Sequence, residues 1–535
     1  MASAPEPESA PPRARALFGE AFWAPLRSRS ALWLCLLFGA ETVVFAIIRM
    51  PLALSFDAYA FADRGSFLTV CYLAAHGSRP ALDFGYPYGL LPVALAQAWF
   101  HVFGLTPVAS EAAMLMCALA GAWGMARFAS AMRLGTVGLA MVVVAFPFAI
   151  LPSYLSLVYA LEAAVLCNGL AEQAAGRRAS ALALATAACL VKPSMGYLYG
   201  FVLLLLTLRD VLRGGGTAAS GFDCRGALGA IAPAAVTGAI LMTLLGTIYG
   251  PGAVLATLLP GSGRAIYRAM GYGSVFSGGH GLLYLPNGGI GFYLFTIAGF
   301  WIVASVWLLA SGIRAAWRLF GPSSIGRAPG RSEDFVFTAA VLHAVFITIF
   351  FGGASSWEYY SYVLVMGAAA TSIWDAFSAQ AVAGLTLLAL SGHLAHVENA
   401  VIAWRTTSPD SRTAGLWAPA AERDAWQRVL AATSRDTAAV LTFQGCAAVL
   451  FAQFERPTGV YLVPGESLPS EIMAAEQRLK QAPMVFAVTG GDYSAALAFF
   501  PQLRSLLARR TIVLDEPLDH LTFTVYGEVR ARAPR

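Results

Sequence analysis

Residues 57–92 read DAYAFADRGSFLTVCYLAAHGSRPALDFGYPYGLLP. The stretch follows the first apolar run, residues 31–50, and a long apolar run follows it. Asp57, Asp63 and Asp83 lie in it, with Arg64, His76, Arg79 and the turn Gly85-Tyr86-Pro87-Tyr88-Gly89. Carboxylates beside hydrocarbon are costly, so they face water, a partner charge or a substrate. Read without function, this is a solvated loop whose charges mark a membrane boundary.

The rest of the chain supports that boundary. Of its 535 residues, 58% are hydrophobic and 12% charged. Soluble chains carry about 25% charged residues. Half that share, with repeated runs of about 18 or more apolar residues, predicts an α-helical polytopic membrane protein. The net charge of +5 is therefore no nucleic-acid signal; it comes from Arg in short loops. The seven Cys lack C-x-x-C spacing and most lie inside apolar runs, which predicts neither a disulfide framework nor a zinc site.

Residues 1–30, with Arg13, Arg15, Arg27 and Arg29, read as a cytoplasmic tail before an uncleaved first span over 31–50. That span contains Glu41. Residues 57–76 are expected to form one helix at the external interface, ended by Gly77. Apolar runs follow at 86–103, 107–126, 134–152 and 154–172, the last containing Glu162. The block 179–208 is interrupted by Val191-Lys192-Pro193-Ser194, and Pro193 breaks a helix by removing a donor. Further runs lie at 227–249, 291–311, 335–351, 361–377 and 380–396.

The loops 209–226 and 312–334 are Arg-rich and so expected to be cytoplasmic. Residues 250–290, 352–360 and 398–535 are then external. With every run crossing once, the parity fails. Treating 179–208 as one broken crossing restores it, at the cost of putting Arg177 and Arg178 outside. On this reading the chain crosses about 11 times, or up to 13.

Residues 398–535 carry ordinary charge density. Strand-like runs at 438–443, 459–463, 484–489, 511–514 and 521–526 alternate with helical patterns at 421–432, 446–454, 469–480 and 494–508. The alternation predicts a small external α/β domain with partly parallel strands. It has no Gly-rich phosphate loop and no Ser/His/Asp constellation, so no chemistry is assigned to it.

The first loop carries a specific pattern. Asp63-x-Gly65, Gly77-x-x-Pro80-x-x-Asp83-Phe84 and Tyr86-x-Tyr88-Gly89 resemble the first external loop of the GT-C glycosyltransferases. In many of these that loop reads Asp-Glu-Gly, a helical stretch, then Gly-x-x-Pro-Tyr-x-Asp-Phe. Here Arg64 stands where Glu is common and Ala81 where Tyr is common, so the acidic dyad is reduced to one Asp. In plan the chain resembles the protein mannosyltransferases and the lipid A aminoarabinose transferases.

The resemblance implies a multi-pass enzyme of a bacterial inner membrane and cell envelope. It would move a sugar from a polyprenyl-phosphate donor to a glycan, lipid or protein acceptor on the external, periplasmic face. Asp63 matches the family's catalytic aspartate, Asp83 matches the Asp of its Asp-Phe pair, and Asp57 is the reserve base. Mg²⁺ or Mn²⁺ stays open as a cofactor, since such sites usually want more than one protein oxygen.

The donor phosphate needs cationic partners. Residues 260–280 offer Arg264 and Arg268, four apart and so on one helical face, with Tyr267 beside them and His280 downstream. Their bland alternative is a pair of arginines snorkelling to headgroups. Lys192, in Leu-Val-Lys-Pro-Ser, resembles the Lys-Pro at a broken helix of several GT-C members; it would bind phosphate or pair with Glu162. Glu358 and Tyr359, in Ser356-Trp357-Glu358-Tyr359-Tyr360, fall where the family borders its donor site, and equally read as an interfacial aromatic belt. A competing reading of different class is a transporter or flippase of a lipid-linked or small polar substrate. Broken helices and intramembrane Glu41, Glu162 and Lys192 fit it. It gives no reason for Asp residues concentrated in one external loop or for an α/β cap.

Overall fold

The structure is a computed structural model. It describes residues 29–60, 63–150, 156–214, 224–259, 299–321, 330–350, 367–368, 371, 397–433, 438–443, 458–462, 467–489, 497–518 and 522–529. It is a helical bundle with a small α/β domain at one end.

The bundle helices are α1 (Arg29–Ile48), α2 (Phe56–Ala60), α3 (Asp63–Ala75), α4 (Leu91–Phe103), α5 (Pro107–Met132), α6 (Thr136–Ile150) and α7 (Leu157–Ala174). They continue with α8 (Arg178–Val191), α9 (Pro193–Gly214), α10 (Cys224–Tyr249), α11 (Pro251–Leu258), α12 (Gly299–Phe320) and α13 (Arg331–Phe350). By length and composition, the stretches Pro107–Met132, Pro193–Leu212 and Leu228–Tyr249 can each cross a bilayer.

Helix ends follow local chemistry. Thr106 caps α5 by accepting from the Ala109 amide at 3.1 Å, and Pro107 fills the first position, where no amide bond is needed. Gly77, at φ 87°, follows α3, as the sequence predicts. The single helix expected over 57–76 is instead two, α2 and α3.

α5 and α7 run parallel: Gly124 abuts Cys167 and Asn168, and Arg127 pairs with Glu172. α6 must therefore return between them. Among the described residues the two ends of the bundle differ in character. At one end Glu172 pairs with Arg127 and Arg177, while Asp334 pairs with Arg178 and with Arg209 at 2.6 Å. Arg318 on α12 and Glu333 on α13 pair beside them at 3.5 Å. We call this the arginine end. The opposite, loop end carries α2, α3, Lys192 and the α/β domain.

The break at Lys192 is a reversal. Lys192 is extended (φ −146°, ψ 101°), so α8 stops there and Pro193 starts α9. A Cβ on Gly196 would strike the Cys189 backbone, and one on Gly200 would lie 3.8 Å from the Ala185 Cβ. Had 179–208 been one rod, residues 185 and 200 would stand about 22 Å apart. The small residues Ala185 and Ala188 on α8, facing Gly200 and Gly196 on α9, allow this close packing.

The single broken crossing expected from the sequence is thus corrected to a helical hairpin. Arg177 and Arg178 consequently lie with Arg209, not across the bundle from it. An Ala185→Cys/Gly200→Cys pair, made without the native thiols, is expected to oxidise to an intramolecular disulfide, since about 3.8 Å is the usual Cβ separation. Mass spectrometry of the peptides reads it; an unlinked pair under oxidant would restore the single crossing.

The apolar run 86–103 also departs from expectation. Its helix, α4, has 13 residues and does not run from one end of the bundle to the other. It starts beside Val191 and ends one short turn from α5, with Gln97 accepting from Tyr249 at 2.8 Å. Both of its ends thus belong to the loop end. With α4 no longer a crossing and the hairpin counted twice, α1, α5, α6, α7, α8, α9, α10, α12 and α13 alternate in direction. Arg127, Arg177, Arg178, Arg209 and Arg318 then share one end. The runs 361–377 and 380–396 fall almost wholly outside the described residues.

The α/β domain contains the short pair β1 (Ser408–Pro409) and β2 (Trp417–Ala418), then α14 (Ala420–Ala432), β3 (Ala438–Phe443), β4 (Thr458–Leu462), α15 (Pro469–Gln481), β5 (Met484–Thr489), α16 (Pro501–Ala508), β6 (Arg510–Pro517) and β7 (Thr522–Val529). Its main sheet has the order β4-β3-β5-β7-β6. β3 is parallel to β4 and β5, while β7 is antiparallel to β5 and β6, the partly parallel layer predicted. The stretch 446–454, predicted helical, lies outside the described residues. The domain docks on the first loop through Trp426, which is fully buried against Phe486, Phe523 and Phe56 of α2. Burying such a ring is worth about 1.5–3 kcal/mol. The Trp417 amide also donates to the Leu54 carbonyl at 2.8 Å.

Candidate functional site at the loop end of the bundle

Asp57 is the second residue of α2 and Asp63 the first of α3. Both side chains lie outside the described residues. Arg64, next to Asp63, turns inward. It pairs with Glu111 on α5 and donates to the Ala53 carbonyl at 2.6 Å. The Tyr59 hydroxyl donates to the same Glu111 oxygen at 2.7 Å. Burial, then the Glu111 charge, pushes the Tyr59 phenol well above its ordinary range, so it stays a donor. The residue that departs from the acidic dyad therefore locks the first loop to α5, a pair whose breaking costs about 3–5 kcal/mol.

Asp83 is held by Arg79. It accepts from the Arg79 amide at 2.7 Å and from the guanidinium Nε and NH2 at 3.0 Å each. These bonds hold its carboxyl below the usual carboxylate range. So held, Asp83 clamps a turn and is a weak proton acceptor.

Gly85 to Gly89 form a strap. At one end the Gly85 amide donates to Glu471 of α15 at 3.2 Å. At the other the Gly89 amide donates to the Val191 carbonyl at 3.0 Å, on the α8–α9 reversal. A Cβ at Gly89 would collide with the Leu190 carbonyl, so the approach requires glycine. Between the ends, the Tyr86 hydroxyl donates to the Gly89 carbonyl at 3.2 Å, and the Tyr88 and Tyr159 hydroxyls share a bond of 2.7 Å.

Tyr159 leads to Lys192. The ammonium lies 4.4 Å from the centre of the Tyr159 ring and 3.5 Å from the Glu162 carboxylate. Glu162 is fully buried, and the Lys192 side chain is 15% exposed. Tyr159 and Glu162 are three apart and so share a face of α7. The pairing of Lys192 with Glu162, one of the two options read from the sequence, is the one observed. A phosphate arriving here would share the ammonium with Glu162.

The structure thus brings together the strap, Lys192, Glu162 and the α/β domain. Arg264, Tyr267, Arg268, His280, Glu358 and Tyr359 lie outside the described residues. Among the described residues no three His, Cys, Asp or Glu side chains converge to hold a metal. Tyr159, Glu111 and Glu471 were not singled out from the sequence. Tyr159 had a usable signal, its three-residue spacing from the intramembrane Glu162.

No protein-family model matches this chain, and no curated protein sequence matches it. Solved structures similar to it include two crystal structures of ArnT from Cupriavidus metallidurans. The apo state shares 15% identity, covering 93% of this chain and 98% of that one, with a TM-score of 0.38. The form bound to undecaprenyl phosphate shares 14% identity, covering 92% and 98%, with a TM-score of 0.36. Overlap at this level carries no chemistry across.

Proposed function

We propose that the chain is an integral-membrane glycosyltransferase that uses a polyprenyl-phosphate-linked sugar. The observation that carries the reading is the seat of the strap. The loop motif that resembles the GT-C family lies directly on the Lys192 reversal, 102 positions away in the chain. Two stretches that each suggest lipid-phosphate chemistry form one site, at the mouth of an apolar bundle.

In the proposed reaction the acceptor hydroxyl attacks the anomeric carbon. The bond from that carbon to the phosphate oxygen breaks, and the polyprenyl phosphate leaves with the electron pair. Asp63 takes the acceptor's proton, with Asp57 in reserve, and the product is inverted. Asp83 and Arg79 hold the turn that follows. Lys192, with Arg264 and Arg268, meets the charge on the leaving phosphate. Tyr267, His280, Glu358 and Tyr359 complete the donor side. Mg²⁺ or Mn²⁺ has no step here; Asp57 and Asp63 are the carboxylates that would hold one. The Arg clustering supports a cytoplasmic arginine end and therefore an external site.

The test is consumption. Purified protein in proteoliposomes, given a polyprenyl-phosphate sugar and cell-envelope acceptors, is expected to release polyprenyl phosphate and form a glycosylated product by mass spectrometry. The Lys192–Glu162 pair inside the bundle also suits a flippase. Movement of the intact lipid-linked sugar between leaflets, with no cleavage, would establish that reading instead.

A further inference from the structure

The α/β domain carries no constellation that suggests chemistry of its own, yet one of its side chains reaches the site. Glu471 is the third residue of α15, and its Oε2 accepts from two amides: Leu468 at 2.6 Å and Gly85 at 3.2 Å. The Leu468 bond ties the carboxylate to the start of its own helix. Its aim at Gly85 is therefore set by α15 and not by a free rotamer.

Gly85 begins the strap, and every residue after it is constrained. Pro87 has a fixed φ. Tyr86 braces Gly89, Tyr88 meets Tyr159, and Gly89 is pinned to Val191. Tyr159 in turn lies under the Lys192 ammonium. A shift at Gly85 therefore has few soft joints in which to dissipate before it reaches Lys192.

We propose that Glu471 is a positioning residue: through the Gly85 amide it sets the seat of the strap on the Lys192 reversal, making the α/β domain a working part of the site. The part of this concerning transfer rests on the function proposed above. The alternative is that Glu471 only caps α15.

Hydrogen exchange on the full chain in detergent separates the two. In Glu471→Ala, exchange in the peptide over 86–92 is expected to accelerate on the order of tenfold, the size of one lost bond. Glu471→Gln keeps an acceptor oxygen and is expected to restore it. Because Glu471→Ala also removes the α15 cap, Gly85→Pro supplies the second variant. It deletes the donor and leaves α15 untouched. It is expected to accelerate 86–92 alone. Acceleration confined to α15 in Glu471→Ala, with 86–92 unchanged in both variants, overturns the proposal.

Transfer is the second readout. Both variants are expected to lower kcat about tenfold with KM for the donor lipid little changed. Faster exchange with unchanged kcat would reduce Glu471 to a structural clasp and overturn its positioning role. Wild-type protein without any transfer overturns the function proposed above while leaving the exchange result to stand by itself.

Discussion

Asp63→Asn is expected to lower single-turnover transfer by about 10²–10⁴ while leaving folding and donor binding intact. Asn keeps the shape of Asp but cannot take a proton, so the loss falls on the chemical step alone. The other two loop carboxylates provide the internal comparison. Asp57→Asn should cost much less. Asp83→Asn should fall between them, because it weakens the Arg79 clamp without removing the base. Single-turnover assays on the three variants side by side decide the assignment. If Asp57→Asn is inactive and Asp63→Asn is not, the base lies six residues earlier. If all three turn over like wild type, the loop is not catalytic and the flippase reading moves ahead.

Gly89→Ala is expected to act from the opposite side of the site. The added methyl meets the Leu190 carbonyl and carbonyl carbon, and the Val191 nitrogen at 2.9 Å. All are backbone atoms of the hairpin, with no flexible side-chain end to yield. The strap must lift, and the Gly89–Val191 bond goes with it. A loss of about 2–3 kcal/mol in stability is expected. Transfer should fall about 10²-fold, the usual cost of a displacement near 1 Å. Gly39→Ala in α1 is the control, since a Cβ there meets nothing within 4 Å. Melting temperature and single-turnover rate, measured for both, check the pair. Gly89→Ala behaving like Gly39→Ala would mean the strap does not hold the site.

What the sequence disclosed follows from how local each signal is. The strands at 438–443 and 484–489 were legible because a short apolar run bounded by turn residues is a local pattern. α5 was legible because a Thr-Pro start and a long apolar run are local too. The hairpin was not, because a proline break reads the same whether the next helix continues or reverses. The deciding signal was Gly196 and Gly200 facing a row of alanines, which matters only once the two helices are paired. Arg64 announced a charge, but its partner Glu111 lies 47 positions on and nothing local links them. At the site, Lys192 and Glu162 were legible as intramembrane charges. The bond from Gly85 to Glu471 spans 386 positions and was beyond any local pattern.

The arginine end has a consequence for how the protein is made. Arg178 and Arg209 sit at the two open ends of the α8–α9 hairpin, and both pair with Asp334 as well as with Asp210. Asp334 follows Arg209 by 125 residues. At synthesis rates of about 5–20 residues per second, it leaves the ribosome roughly 6–25 s after its partner. For that interval the hairpin carries two guanidinium groups with Asp210 beside them and without the Asp334 carboxylate. By the positive-inside rule those charges are expected to hold the nascent hairpin in its orientation until the later helix arrives to pair with them. Charge reversal of Asp334 would therefore act as an assembly defect, visible as hairpins left open to protease during translation.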